Sequence, residues 1–189
     1  MCVAGNRLHE TKMHPAMNIA QLLEAHASRL KLQPPAESFC CSPHLALQLP
    51  PDLQEFYQIT NGALVLVGGL SKQSSISWKI NGVQSLMIAD HCFYGGKVSF
   101  EFEKLHGVCH PMFETCVLLA GNGNTHLTID LDQLRYGKCY AATLEMHLMR
   151  EDIVVAASFS EWLERLLTTP GDRPYWEQPG FPHLSAYDQ

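Results

Sequence analysis

The chain has 189 residues, 46% hydrophobic and 17% charged, a length and composition that suit one folded domain and exclude extended disorder. Formal net charge is −6, and the acidity sits in the body: residues 1–32 carry four Lys/Arg against two Asp/Glu, whereas residues 33–169 carry eight against fourteen. No Lys/Arg cluster offers the basic stripe that phosphate neutralisation requires, so direct nucleic-acid binding is not expected.

Seven cysteines, an odd number without small-scaffold spacing, read as reduced and mostly buried thiols rather than a disulfide framework. No stretch of about 18 apolar residues reads as a membrane span, and no secretory leader opens the chain, so the expectation is a soluble, cytoplasmic protein.

Residues 1–16 lack any period and read as a flexible arm; Met13 and Met17 leave open a later translation start. From Asn18, which can cap a helix with Gln21 three residues on, Ile19, Leu22, Leu23, His26 and Leu30 fall on one stripe, and Gln33-Pro34-Pro35 ends it. Pro50-Pro51 preset a second helix, Asp52 complements its dipole, Leu53, Phe56, Tyr57 and Thr60 face inward, and Asn61-Gly62 supplies a left-handed stop.

Beyond Gly62 the period changes to two. Strands are expected at Leu64–Val67, Ser75–Ile80, Val83–Ile88, Lys97–Phe102, Cys116–Ala120, His126–Leu131, Cys139–Thr143 and Ile153–Ala156, with hairpin turns at Asn81-Gly82 and Tyr136-Gly137. Ser158 then caps a last helix, with Glu161 in the capping-box position and Phe159, Trp162, Leu163, Leu166 and Leu167 as its apolar stripe. After Pro170, prolines and glycines alternate with Tyr175, Trp176, Phe181 and Tyr187; regular structure is not expected there, although the aromatics can pack back on the body. The organisation is thus an arm (1–16), one α+β domain with a mixed, mainly antiparallel sheet flanked by helices (17–169), and a Pro/aromatic tail (170–189).

Three pieces in this order resemble the SUKH superfamily: Leu-Pro-Pro-Asp-Leu-Gln-Glu-Phe-Tyr-Gln-Ile-Thr-Asn-Gly at Leu49 to Gly62, Gly-Asn-Gly-Asn-Thr-His-Leu-Thr-Ile-Asp-Leu at Gly121 to Leu131, and Ala-Ser-Phe-Ser-Glu-Trp-Leu at Ala157 to Leu163. The first helix lacks the Trp that many members carry, and residues 90–96 and the tail match nothing assignable. The resemblance implies a mixed sheet flanked by helices and a non-catalytic binding role. Many bacterial members look like immunity proteins that neutralise a polymorphic toxin, often a nuclease; other members, among them yeast regulators of cell-wall synthesis, act as interaction hubs. The expectation is therefore an immunity protein whose partner is a cognate toxin with a basic surface, the alternative being a scaffold or regulatory module for an endogenous protein.

Several constellations in the sequence bear on that expectation. His106, Cys109 and His110, and likewise Cys40, Cys41 and His44, lack the paired spacing of a zinc site, so no metal or other cofactor is expected. Adjacent His91 and Cys92 would point to opposite faces of a strand, which disfavours a catalytic pair. Gly121 and Gly123 read as a structural turn, because no Lys-Ser/Thr and no helix follow. No active site is expected. If Val98, Phe100 and Phe102 face the core, Glu101 and Glu103 project outward, and Leu127, Ile129 and Leu131 inward would turn Asp130 and Asp132 outward. These four carboxylates are the expected partner-binding residues, set against the alternative that they are a plain solvated sheet face.

Overall fold

The computed structural model describes residues 17–36, 48–67, 76–89, 115–123, 125–143, 153–171 and 173–182. Helix α1 spans Ile19–Ala25 and opens as expected: Asn18 Oδ1 accepts from Gln21 N at 2.9 Å, and Gln21 Oε1 accepts from Asn18 N at 3.3 Å. Ile19, Leu22 and Leu23 are buried, but the helix stops a turn earlier than the apolar stripe suggests. A single 3₁₀ turn, Ala27–Arg29, redirects the chain into strand β1, Leu30–Leu32, which pairs with Val65, Leu64 and Ala63 of the next strand. Leu30 fits a helical stripe and a short strand equally, so periodicity alone could not separate them. Arg29 Nη1 fixes the corner by donating to the carbonyl of Leu167 at 2.6 Å.

Helix α2, Pro51–Ile59, begins at the paired prolines and buries Leu53, Phe56 and Tyr57. Thr60 is fully buried, with its hydroxyl 2.7 Å from the carbonyls of Gln33 and Gly62. The stop at Gly62 has a steric reason: its φ is +103°, and a Cβ there would lie 2.7 Å from the Ile80 carbonyl oxygen.

Strands β2 (Ala63–Val67), β3 (Ile76–Ile80), β4 (Cys116–Asn122), β5 (Thr125–Asp130), β6 (Cys139–Thr143) and β7 (Ile153–Ala156) complete, among the described residues, a seven-stranded sheet in sequential order. Every pairing is antiparallel, so the parallel component allowed for in a mixed sheet does not occur among the described strands. The turn between β4 and β5 has Gly123 at φ +57° and leads into a strand, as a structural turn should. The β5–β6 connection closes at Gly137, near the expected position.

The hairpin expected at Asn81-Gly82 and the strand expected at Val83–Ile88 are corrected. Gly82 has φ −67°, Val83–Ser85 forms a 3₁₀ turn, and only an isolated bridge from Ile88 to Val117 remains. Backbone groups that a hairpin would pair are taken by side chains: Asn61 Oδ1 accepts from Val83 N at 2.8 Å, and the Tyr57 hydroxyl donates to the Asn81 carbonyl at 2.8 Å. The expected strand Lys97–Phe102 lies outside the described residues.

Helix α3, Phe159–Thr168, buries all five residues of its expected stripe. Ser158 Oγ accepts from Glu161 N, while the Glu161 carboxylate reaches back to Ala157 N at 2.7 Å, one residue earlier than in the standard box. Phe56 meets Phe159 edge-on at 5.1 Å, and Trp78 meets Trp162 at 6.3 Å and Trp176 at 5.3 Å. Trp176 and Tyr175 of the tail therefore complete the core, while Tyr187 lies outside the described residues: Trp176 is 2% exposed, and the Tyr175 hydroxyl donates to the Val155 carbonyl of edge strand β7. Among the described residues no helix is long and apolar enough to cross a membrane.

Candidate functional site

The three sequence pieces that carried the family resemblance converge at one end of the fold. Asp52, in the first turn of α2, accepts from Ser160 N at 2.8 Å and so ties the start of α2 to the start of α3. The second piece leaves β5 into the turn 131–138. Gly137 there adopts φ +82°, and a Cβ on it would stand 3.7 Å from the Ala157 carbonyl oxygen and 3.8 Å from Pro50 Cγ.

This turn is braced from within. Asp130 Oδ1 accepts from Asp132 N at 2.9 Å, and Asp130 Oδ2 accepts from Arg135 Nε at 2.7 Å. Asp132 Oδ1 accepts from Leu134 N at 2.9 Å and stands 3.6 Å from Arg135 Nη1. Backbone bonds from Arg135 N to Asp132 O, Gly137 N to Asp130 O and Lys138 N to Arg135 O close the loop on itself. Burial alone would lower the Arg135 pKa, but the hydrogen bond and charge of Asp130, with smaller contributions from Asp132 and Tyr140, raise it above its ordinary value.

The expected carboxylates divide on this geometry. Asp130 is fully buried, which corrects the expectation that it projects to solvent. The alternation itself holds, since Leu127 and Ile129 face the helices. The opposite face is covered too: Cys116, Leu118, Thr128 and Tyr140 are all buried. Periodicity reports which face a side chain takes, not whether that face meets water. Asp130 thus organises the turn rather than the surface. Asp132 is partly exposed, its side chain at 28%. Glu101 and Glu103 lie outside the described residues, as do His91, Cys92, His106, Cys109, His110, Cys40, Cys41 and His44.

The turn presents what the sequence reading overlooked. Leu134 is 88% exposed and Tyr136 is 43% exposed. Burial first, and then the charge of Asp52, raise the Tyr136 phenol above its usual value. Beside them opens a cleft of about 600 Å³ lined by Gln48, Thr115, Leu131, Asp132, Gln133 and Tyr136. The available signal was a large apolar residue, Leu134, inside a turn that neither the helical nor the strand period claims.

Chemically this arrangement offers exposed apolar side chains and one carboxylate beside an open cleft. Among the described residues no group of three or more His, Cys, Asp or Glu is placed to hold a metal ion. Cys139 is buried, and burial pushes its thiol well above the ordinary range, so it is a poor nucleophile. A second cavity, of about 430 Å³, lies between the end of α3 and the tail, where Arg165 stacks 5.5 Å over the Tyr175 ring.

The sequence profile of the SMI1 / KNR4 family (SUKH-1) matches residues 44–165, well over half of the chain. Immunity protein YokJ of Bacillus subtilis (strain 168) is 28% identical over 143 residues, covering 75% of this chain and 78% of YokJ. No solved structure matches at a significant level.

Proposed function

Since the chain belongs to the SMI1 / KNR4 family (SUKH-1), we propose that it is an immunity protein, which binds a cognate bacterial toxin stoichiometrically and blocks it without catalysis. The observation that carries this reading is the similarity to Immunity protein YokJ along three-quarters of each chain. The geometry supports it: the end where the family's sequence pieces meet is a braced turn with exposed apolar groups, suited to docking rather than to bond chemistry.

The toxin presents a basic surface and is a nuclease, whose phosphate-binding face an acidic body of net charge −6 attracts over long range. Glu101, Glu103 and Asp132 supply carboxylates for that attraction, and Asp130 contributes by holding Arg135 in place. The protein acts in the cytoplasm, where a nuclease toxin meets its substrate.

The test is co-expression with the product of the neighbouring gene, in cells where that product alone stops growth. Restored growth together with a copurifying complex supports the reading. Continued killing, with both proteins folded and soluble, refutes it, and pull-down of host proteins alone then supports an endogenous partner.

A further inference from the structure

Exposed apolar residues are common singly on protein surfaces, so Leu134 is informative only through its setting. Leu32, Met87 and Tyr136, the other large hydrophobics exposed among the described residues, show 43–45% of their surface, about half of the 88% that Leu134 shows. Leu134 therefore contributes almost nothing to the core. A polar residue would fit its position equally well, because its backbone N–H is already satisfied by Asp132 Oδ1.

The support beneath it is the opposite of loose. A fully buried carboxylate, an ion pair at 2.7 Å and a closed set of backbone bonds fix the turn before any partner arrives. Ordering cost is a large part of what association must overcome, and a rigid turn carrying an exposed leucine has met that cost in advance. The adjoining cleft adds a second, electrostatic feature. Its described lining holds one charged residue, the anionic Asp132, with Gln48, Thr115, Leu131, Gln133 and Tyr136 neutral around it.

We propose that the turn 131–138 is the anchor of the toxin interface: Leu134 enters an apolar socket on the toxin, and the cleft beside it takes a Lys or Arg side chain against Asp132. This rests on the immunity reading and specifies which surface carries it. Apolar contact desolvated by the socket gives residence time, and the cation at Asp132 gives register and association rate. Tyr136 lines the cleft with an aromatic wall on which the aliphatic stem of the incoming cation lies.

The experiment measures binding of the full chain to the toxic product of the neighbouring gene by surface plasmon resonance, with growth protection in parallel. The variants are Leu134→Ala, Asp132→Asn and, as a control on an exposed position of β3, Lys79→Ala. Circular dichroism and thermal melts check that each is folded. Leu134→Ala is expected to raise the dissociation rate about 10- to 100-fold. Asp132→Asn keeps an acceptor for Leu134 N and is expected to slow association at low salt, with the difference shrinking as salt rises. Lys79→Ala is expected to bind as the parent does.

If the parent protects and binds while folded Leu134→Ala binds within twofold of it, the anchor is elsewhere and the inference fails, with the immunity reading intact. If the parent itself neither binds nor protects, the immunity reading fails. Should Leu134→Ala melt early, Leu134→Lys and Leu134→Gln decide the matter, because both place a polar group at a solvent-exposed site and only loss of binding by folded variants supports the anchor.

Discussion

Replacing Asp130 with Asn leaves the side-chain volume unchanged and removes the charge that holds Arg135. In the parent the Asp130 side chain is 0% exposed and that of Arg135 is 14% exposed, so the pair is screened little by water. Breaking a buried pair by removing one partner costs about 3–5 kcal/mol, because the remaining charge stays desolvated. Asn keeps one acceptor for Asp132 N, which places the expected loss near the lower end, about 3 kcal/mol. For a domain of this size that corresponds to a melting-temperature drop of about 6–12 °C. Urea unfolding followed by tryptophan fluorescence measures it. A double-mutant cycle with Arg135→Met isolates the pair, with an expected coupling of about 1–3 kcal/mol. A loss below about 0.5 kcal/mol, the range of ordinary surface substitutions, would refute the buried assignment and return Asp130 to the solvated sheet face that alternation suggests.

Three further outcomes follow from the packing and electrostatics. Trp176→Ala opens a hole against Trp78 and is expected to cost about 3–5 kcal/mol in chemical denaturation; a cost under about 1 kcal/mol would mean that the tail aromatics are dispensable to the core. Gly62→Ala forces a Cβ into the left-handed region and against the Ile80 carbonyl, and is expected to lose at least about 1–3 kcal/mol, visible as a lowered melting temperature. His126 has its pKa lowered by burial from an ordinary value of 6.5. The unfolded chain therefore binds this proton more readily, and the stability His126 contributes is complete above pH 6.5 and is lost as pH falls through the folded-state value. Stability curves of His126→Gln should be flatter than the parent's below pH 6.5, and curves that superimpose would contradict the burial effect.

Local chemistry made much of the fold legible in the sequence. Capping residues at Asn18 and Ser158, the proline start of α2 and the glycine at position 62 each act within a few residues, so they read directly from the chain. The α3 stripe was equally plain, since five apolar residues at helical spacing admit one face. What the sequence concealed depended on distant partners. Strand β1 exists because β2 lies beside it, and Val83–Ile88 is not a strand because Asn61 and Tyr57 take its entry bonds. The same limit applied at the site. Alternation placed Asp130 on the correct face and could not report that Cys116, Leu118, Thr128 and Tyr140 make that face a buried one. Arg135 five residues after Asp130, on the far side of a turn that ends in Gly137, was the available hint of an internally braced loop. Leu134 went unnoticed because no secondary-structure period included it.

A protein that works by occupying a toxin's surface inhibits with a stoichiometric endpoint. Titrating the purified chain into a fixed amount of the toxic product of the neighbouring gene, and following that product's activity, tests this most directly. Activity is expected to fall linearly and reach zero at one chain per toxin, with the same endpoint after seconds or hours. Inactivation by a small fraction of an equivalent that deepens with time would show turnover, and would contradict a binding mechanism.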